Sequence, residues 1–239
     1  MTQTSTPGPL AACRIDPDAA LIPLDLAPED FQSALPRQHY HLIFEDAAIG
    51  LAVGIWDTTT MQEAFGPYPG DEYITVLDGT FAITDGQGGA VTGRAGQGAT
   101  FRSGIPVSWR QEGYLRKVYL TLLAPESEPP ALASAEGGVR VMDPGHQPEG
   151  REVIFFNDAG SMTVTACRHD AANLPPQPAG AHELYRVFSG RISLITDSGT
   201  AEDFGPDTHF FLPAGTVCER RIAPGTVAWH VHVVPHPAA

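Results

Sequence analysis

Glu72 and Glu183 stand 111 residues apart, and each is followed seven positions later by a glycine, Gly79 and Gly190. The same offset joins Gly104 of Arg102-Ser103-Gly104 to Gly215 of Pro213-Ala214-Gly215, and the strand-like run 118–123 to 229–234. A period this long repeats a whole domain, not a solenoid unit. The 239 residues are therefore expected to form two units of about 110 residues, each long enough to bury its own core. The polar stretch 126–138, Pro-rich at one end and Gly-rich at the other, reads as the linker. It separates an N-terminal domain, 1–125, from a C-terminal one, 139–239, with residues 1–12 a tail.

Glycines number 25 and prolines 22, and they punctuate the chain regularly instead of gathering in one tract. Asp78-Gly79, Ser189-Gly190 and Pro224-Gly225 carry turn chemistry. Short β-rich runs lie between such turns, at 73–77, 80–84, 184–188, 191–196, 209–212 and 228–234. That spacing predicts an all-β sandwich or barrel. One brief helix is expected at 28–34, with Pro28 in its first position and Glu29 and Asp30 in its first turn.

The formal net charge is −14, a far field that repels phosphate backbones and anionic membrane surfaces. No run approaches the length of a membrane-spanning helix. Residues 1–12 lack the charged and apolar regions of a signal peptide. Cys13, Cys167 and Cys218 are too scattered for a disulfide framework. A cytoplasmic protein with free thiols is expected, partnered by a small molecule and not by nucleic acid or membrane.

These motifs resemble the cupin superfamily, and within it the ureidoglycine aminohydrolase-like cupins. In the N-terminal half, Glu72-x6-Gly79 fits the end of the first cupin motif, and Gly96-x5-Arg102-Ser103-Gly104 fits the second, with Arg in place of Pro. Gly54-Ile55-Trp56-Asp57 and Trp109 are similar to the tryptophans of this branch. In the C-terminal half, Glu183-x6-Gly190 and the run 210–215 match. The resemblance implies two tandem jelly-roll (double-stranded β-helix) barrels, each with a small-molecule pocket in its mouth. Sheet edges of this type often pair, so a homodimer is a further expectation.

The resemblance also implies a metal held by two His and a Glu of the first motif and a His of the second. Here those positions hold Gly66, Tyr68, Glu72 and Val107 in one half, and Gln177, Ala179, Glu183 and Cys218 in the other. No metal is expected in the N-terminal barrel. Gln177, Glu183 and Cys218 leave a divalent ion in the C-terminal barrel as the alternative to no cofactor.

Alternation along a strand puts Glu72 with Ile74 and Val76, and Glu183 with Tyr185 and Val187, so each acid is drawn inward with apolar neighbours. A buried carboxylate needs a cation, hydrogen bonds or a proton. Each acid is thus a substrate anchor or an acid/base group of raised pKa, or a structural carboxylate satisfied by backbone amides or an arginine such as Arg102. His230 and His232 share one strand face and would flank a ligand, chelate a metal, or simply line a rim. Cys218 is a nucleophile if a base adjoins it, and otherwise a buried thiol. Trp56, Trp109 and Trp229 read as core or pocket wall, and His39 and His41 as a pocket cap or a half-exposed strand.

The leading expectation is a metal-poor bicupin that binds a small polar metabolite in the C-terminal barrel. Tyr185, Cys218, His230, His232, Gln177, Glu72 and Trp109 are the expected substrate-binding residues, and Glu183 the expected acid or base. The alternatives are a metal-dependent enzyme of amidohydrolase type and a non-catalytic structural or regulatory protein.

Overall fold

The structure, a computed structural model, describes residues 12–85, 87–123, 137–196 and 199–235. The expected tail and linker lie almost wholly outside the described residues. The rest is nearly all antiparallel strand. Among the described residues no helix is long and apolar enough to cross a membrane.

The chain divides into two compact units. The first barrel draws on Asp16–His146. Its larger sheet orders the strands Val139–Met142, Gly98–Phe101, Gly70–Asp78, Leu115–Leu123, Leu51–Thr58, Gln38–Asp46 and Ile22–Pro23. A smaller sheet is built on Pro106–Gln111, Thr80–Thr84 and Ala90–Arg94. The inner faces enclose a core that includes Ile74, Val76, Phe81, Phe101, Ile105 and Trp109.

The second barrel draws on the described residues within Met1–Ile15 and Gln147–Ala239. Cys13–Ile15, Thr208–Leu212, His182–Ser189, Thr226–Val233, Met162–His169 and Arg151–Phe156 form its larger sheet. Ala172–Pro178, Val217–Ile222, Ile192–Ile195 and Ala201–Phe204 form the smaller one.

Strand register obeys the sequence repeat. Glu72 lies opposite Phe101 and Thr121, and Glu183 lies opposite Leu212 and His232, each partner displaced by the same 111. The glycines of the repeat have a steric reason. Gly79 and Gly190 adopt φ of 84° and 76°. A Cβ on Gly79 would meet the Tyr114 carbonyl oxygen at 2.2 Å, and one on Gly190 the Thr226 Cα at 2.7 Å. Only glycine satisfies both conditions.

Two details depart from the sequence-based boundaries. Cys13–Ile15 pairs with Thr208–Leu212 and so belongs to the second barrel, while Val139–Met142 pairs with Gly98–Phe101 and belongs to the first. The two receiving strands are counterparts in the repeat, and each would otherwise leave an edge of unpaired backbone groups. The helix expected at 28–34 shrinks to a 3-10 turn, Pro28–Asp30. Phe31 is already extended and bridges to Glu63, because its side chain packs against the barrel core.

Candidate functional site

In the first barrel the strand Gly70–Asp78 turns Glu72 inward beside Ile74 and Val76, and leaves it only 6% exposed. On the neighbouring strand, Lys117, Tyr119 and Thr121 alternate onto the same inner face. Lys117 Nζ donates to Glu72 Oε1 at 2.9 Å, and the Tyr68 hydroxyl donates to Oε2. The Lys117 ammonium also lies 4.9 Å from the ring centres of both Trp56 and Trp109, a cation–π position on two sides. Trp109 is held in place by stacking on Phe81 at 4.6 Å. The counter-charge of Glu72 is therefore Lys117, not Arg102 as the sequence suggested.

Around this pair opens a cavity of about 360 Å³, walled by Trp56, Trp109, Met61, Tyr68 and Tyr119 and reached by Glu63 and Gln38. Gln38 accepts from the Trp56 indole at 3.3 Å. Its strand neighbours His39 and His41 do not line the cavity; His39 pairs with Asp57 at 2.7 Å instead. Burial pushes the Glu63 carboxyl up to about 7, with Glu72 and Asp30 adding to the rise and Lys117 opposing it. Among the described residues that carboxyl has no hydrogen-bond or ion-pair partner.

The second barrel has solved the same problem differently. Glu183, also 6% exposed, receives two parallel bonds from Arg220, Nη1 to Oε2 and Nη2 to Oε1, both 2.9 Å. The Tyr185 hydroxyl donates to Oε2 at 2.5 Å and accepts from Arg220 at 2.8 Å. The Tyr185 ring stacks between His230, at 4.1 Å, and Phe210, at 4.7 Å. His230 Nε2 lies 3.0 Å from Glu183 Oε2. His232 sits edge-on to His230, 5.9 Å away.

Burial alone would raise the Glu183 carboxyl, but the contacts to His230 and Arg220 outweigh it and hold the group well below the usual carboxylate range. Burial also lowers the His230 imidazole, so at neutral pH the compensating charge is Arg220's. The raised pKa expected for an acid/base Glu183 is thus reversed in direction. Beside this network lies a cavity of about 130 Å³, lined by Gln177, Glu183, Cys218 and Arg220 among others. Cys218 is buried in the core cluster, opposite Gln177 across the strand pair. Trp229 turns away from this site, edge-on to Phe188 at 4.5 Å.

A metal fits neither site. In the first, Gly66 and Val107 offer no donor, and an ammonium already occupies the open side of Glu72. In the second, both carboxylate oxygens are committed to one guanidinium, and Ala179 leaves a gap. Among the described residues no three His, Cys, Asp or Glu side chains converge as a ligand set. A wider groove of about 600 Å³ runs along the smaller sheet of the first barrel, but its charged residues, Arg94, Arg110 and Glu112, are all exposed.

Sequence reasoning missed Lys117, Arg220 and Glu63. The cations break the repeat: the counterpart of Lys117 is Ala228, and that of Arg220 is Trp109. Alternation was the available signal, since Lys117 shares a face with Tyr119 and Arg220 shares one with Cys218.

The fold that these sheets and sites define is that of the cupins, written twice in one chain. Its likeness to solved structures spans nearly the whole length. A protein of unknown function of the DUF861 family from Pseudomonas syringae pv. tomato matches with a TM-score of 0.67 at 17% identity, over 94% of this chain and 100% of that one. The protein Ylba from E. coli, also of DUF861, matches with 0.58 at 9% identity, over 99% and 96%. A Cupin 2 conserved barrel domain protein from Leptotrichia buccalis matches with 0.58 at 14%, over 85% and 91%. No family model matches the sequence, and none of the curated proteins matches it.

Proposed function

We propose that the chain is a bicupin that binds a small metabolite without a metal ion, and that the ligand enters the first barrel. The observation that carries this reading is the aromatic-walled cavity of about 360 Å³ with the Lys117–Glu72 pair at its base. A cavity of this size suits a small organic molecule, and apolar walls with a few convergent polar groups are the usual make-up of such sites. The chain supplies its own cation where the resemblance puts an ion. The second barrel, expected to hold the ligand, has spent its polar residues on one another. Its Glu183 network is better read as structural, with Arg220 in the place of the metal.

The likeness to two DUF861 structures supports the cupin fold on which this reading rests. The ammonia-releasing, manganese-dependent reaction of the ureidoglycine aminohydrolase-like branch is not carried over, because Gly66 and Val107 in one barrel and Ala179 in the other offer no donor where that branch has ligands.

A metabolite-library thermal-shift screen tests the reading, run on the wild type and on Thr121→Trp, which fills the first cavity. Ligands should raise the melting temperature of the wild type and leave the plugged variant unmoved. Equal shifts in both would overturn the choice of barrel. A stoichiometric transition metal found by plasma emission, in protein purified without chelators, would overturn the metal-free reading.

A further inference from the structure

We propose that the first-barrel pocket takes a small organic cation, an amine or amidine on an apolar body, whose charge pairs with Glu63. The inference rests on the pocket reading above and names the chemistry of its ligand. The cavity is lined by two carboxyls, Glu63 and Glu72, and one ammonium, Lys117. Lys117 is matched to Glu72 at 2.9 Å and is sandwiched by two indoles, so its charge is already used. Glu63 is the carboxyl left over, and among the described residues its side chain has no hydrogen-bond or ion-pair partner.

The charged and titratable groups that act on Glu63 come from three elements. Asp30 lies on the 3-10 turn Pro28–Asp30, Tyr68 and Glu72 lie at or before the strand Gly70–Asp78, and Lys117 lies on Leu115–Leu123. Their sum is negative, so an anionic ligand would be repelled while a cation would complete the set. The Tyr68 and Tyr119 rings that line the cavity agree with that sign, because phenol faces attract cations. The Tyr119 hydroxyl, which has no hydrogen-bond partner among the described residues, is available to donate to a polar atom on the ligand body.

A ligand cation that needs the ionised carboxylate must compete with a proton there. With the Glu63 carboxyl near 7, the ionised fraction rises from about a tenth at pH 6 to about nine tenths at pH 8. The apparent affinity should rise by roughly the same factor, about tenfold.

Isothermal titration of the full chain with benzylamine, benzyl alcohol and benzoate, at pH 6 and pH 8, reads this directly. Benzylamine stays protonated at both pH values. It should bind most tightly of the three and about tenfold tighter at pH 8 than at pH 6. In Glu63→Gln, which keeps the shape and removes the charge, its affinity should fall to that of benzyl alcohol and lose its pH dependence. The proposal is overturned if benzoate or benzyl alcohol binds as tightly, if none of the three binds, or if Glu63→Gln binds benzylamine like the wild type. A metabolite from the thermal-shift screen that is lost in Thr121→Trp yet indifferent to Glu63→Gln would remove this inference and leave the pocket reading standing.

Discussion

Replacing Arg220 with methionine keeps most of the side-chain volume and deletes the guanidinium that neutralises Glu183. The carboxylate, on a side chain that is 8% exposed in the wild type, would then have only the Tyr185 hydroxyl and an uncharged imidazole as its company. Removing one partner of a buried pair typically costs about 3–5 kcal/mol, because the other charge is stranded. The bidentate geometry, two bonds of 2.9 Å, puts the expectation toward the upper end. Glu183→Gln should cost a comparable amount by stranding Arg220. The double variant Arg220→Met/Glu183→Gln strands nothing, so it should be more stable than the sum of the singles implies, by about 2–3 kcal/mol.

Urea unfolding at pH 7, followed by tryptophan fluorescence, measures all four proteins, with the slopes compared to check that the transition stays two-state. The carboxyl of Glu183 should also rise in Arg220→Met, so that variant should lose less of its remaining stability on acidification than the wild type. A cost below about 1 kcal/mol for Arg220→Met, or strict additivity in the cycle, would refute the argument that Arg220 stands in for an ion.

Two further outcomes are expected from other parts of the molecule. Burial beside Arg186 lowers the His209 imidazole to about 3 from its ordinary 6.5. Its contribution is fully present above about pH 6.5 and is lost as pH falls toward 3, so at pH 5 the wild type should have lost about 2 kcal/mol. The stability difference between wild type and His209→Gln, from urea curves at pH 7 and pH 5, should shrink by that amount; an unchanged difference would contradict it. Gly190→Ala should cost about 2–3 kcal/mol, since the residue combines a φ of 76° with a contact of 2.7 Å to backbone. Gly205→Ala, where a Cβ meets nothing within 4 Å, should be nearly neutral in the same assay.

Much of the architecture was legible because β-structure writes itself in short periods. Gly79 and Gly190 mark left-handed turns that no other residue could close, and Glu72 and Glu183 follow the inward alternation of Ile74 and Tyr185. The strand Ala172–Pro178 was not legible, because Pro175 and Pro176 argue against one. They are tolerated where the register slips between Leu174 and Gln177, so neither is asked for a ladder hydrogen bond. The reassignment of Cys13–Ile15 and Val139–Met142 was equally hidden. Three- and four-residue edge strands carry too little pattern to say which sheet they complete.

The candidate site divides along the same line. Local periodicity was enough to say that an acid points into each barrel, because facing is a property of one strand. Which cation meets that acid depends on side chains reaching across from other strands: Lys117 from the neighbouring strand of the same sheet, Arg220 from the opposite sheet. The repeat in sequence therefore determined two barrels with one inward carboxylate each. Only the folded arrangement decided that the first keeps an open cavity with Glu63 unmatched while the second closes on its own arginine, since cavity volume and charge balance are sums over residues far apart in the chain.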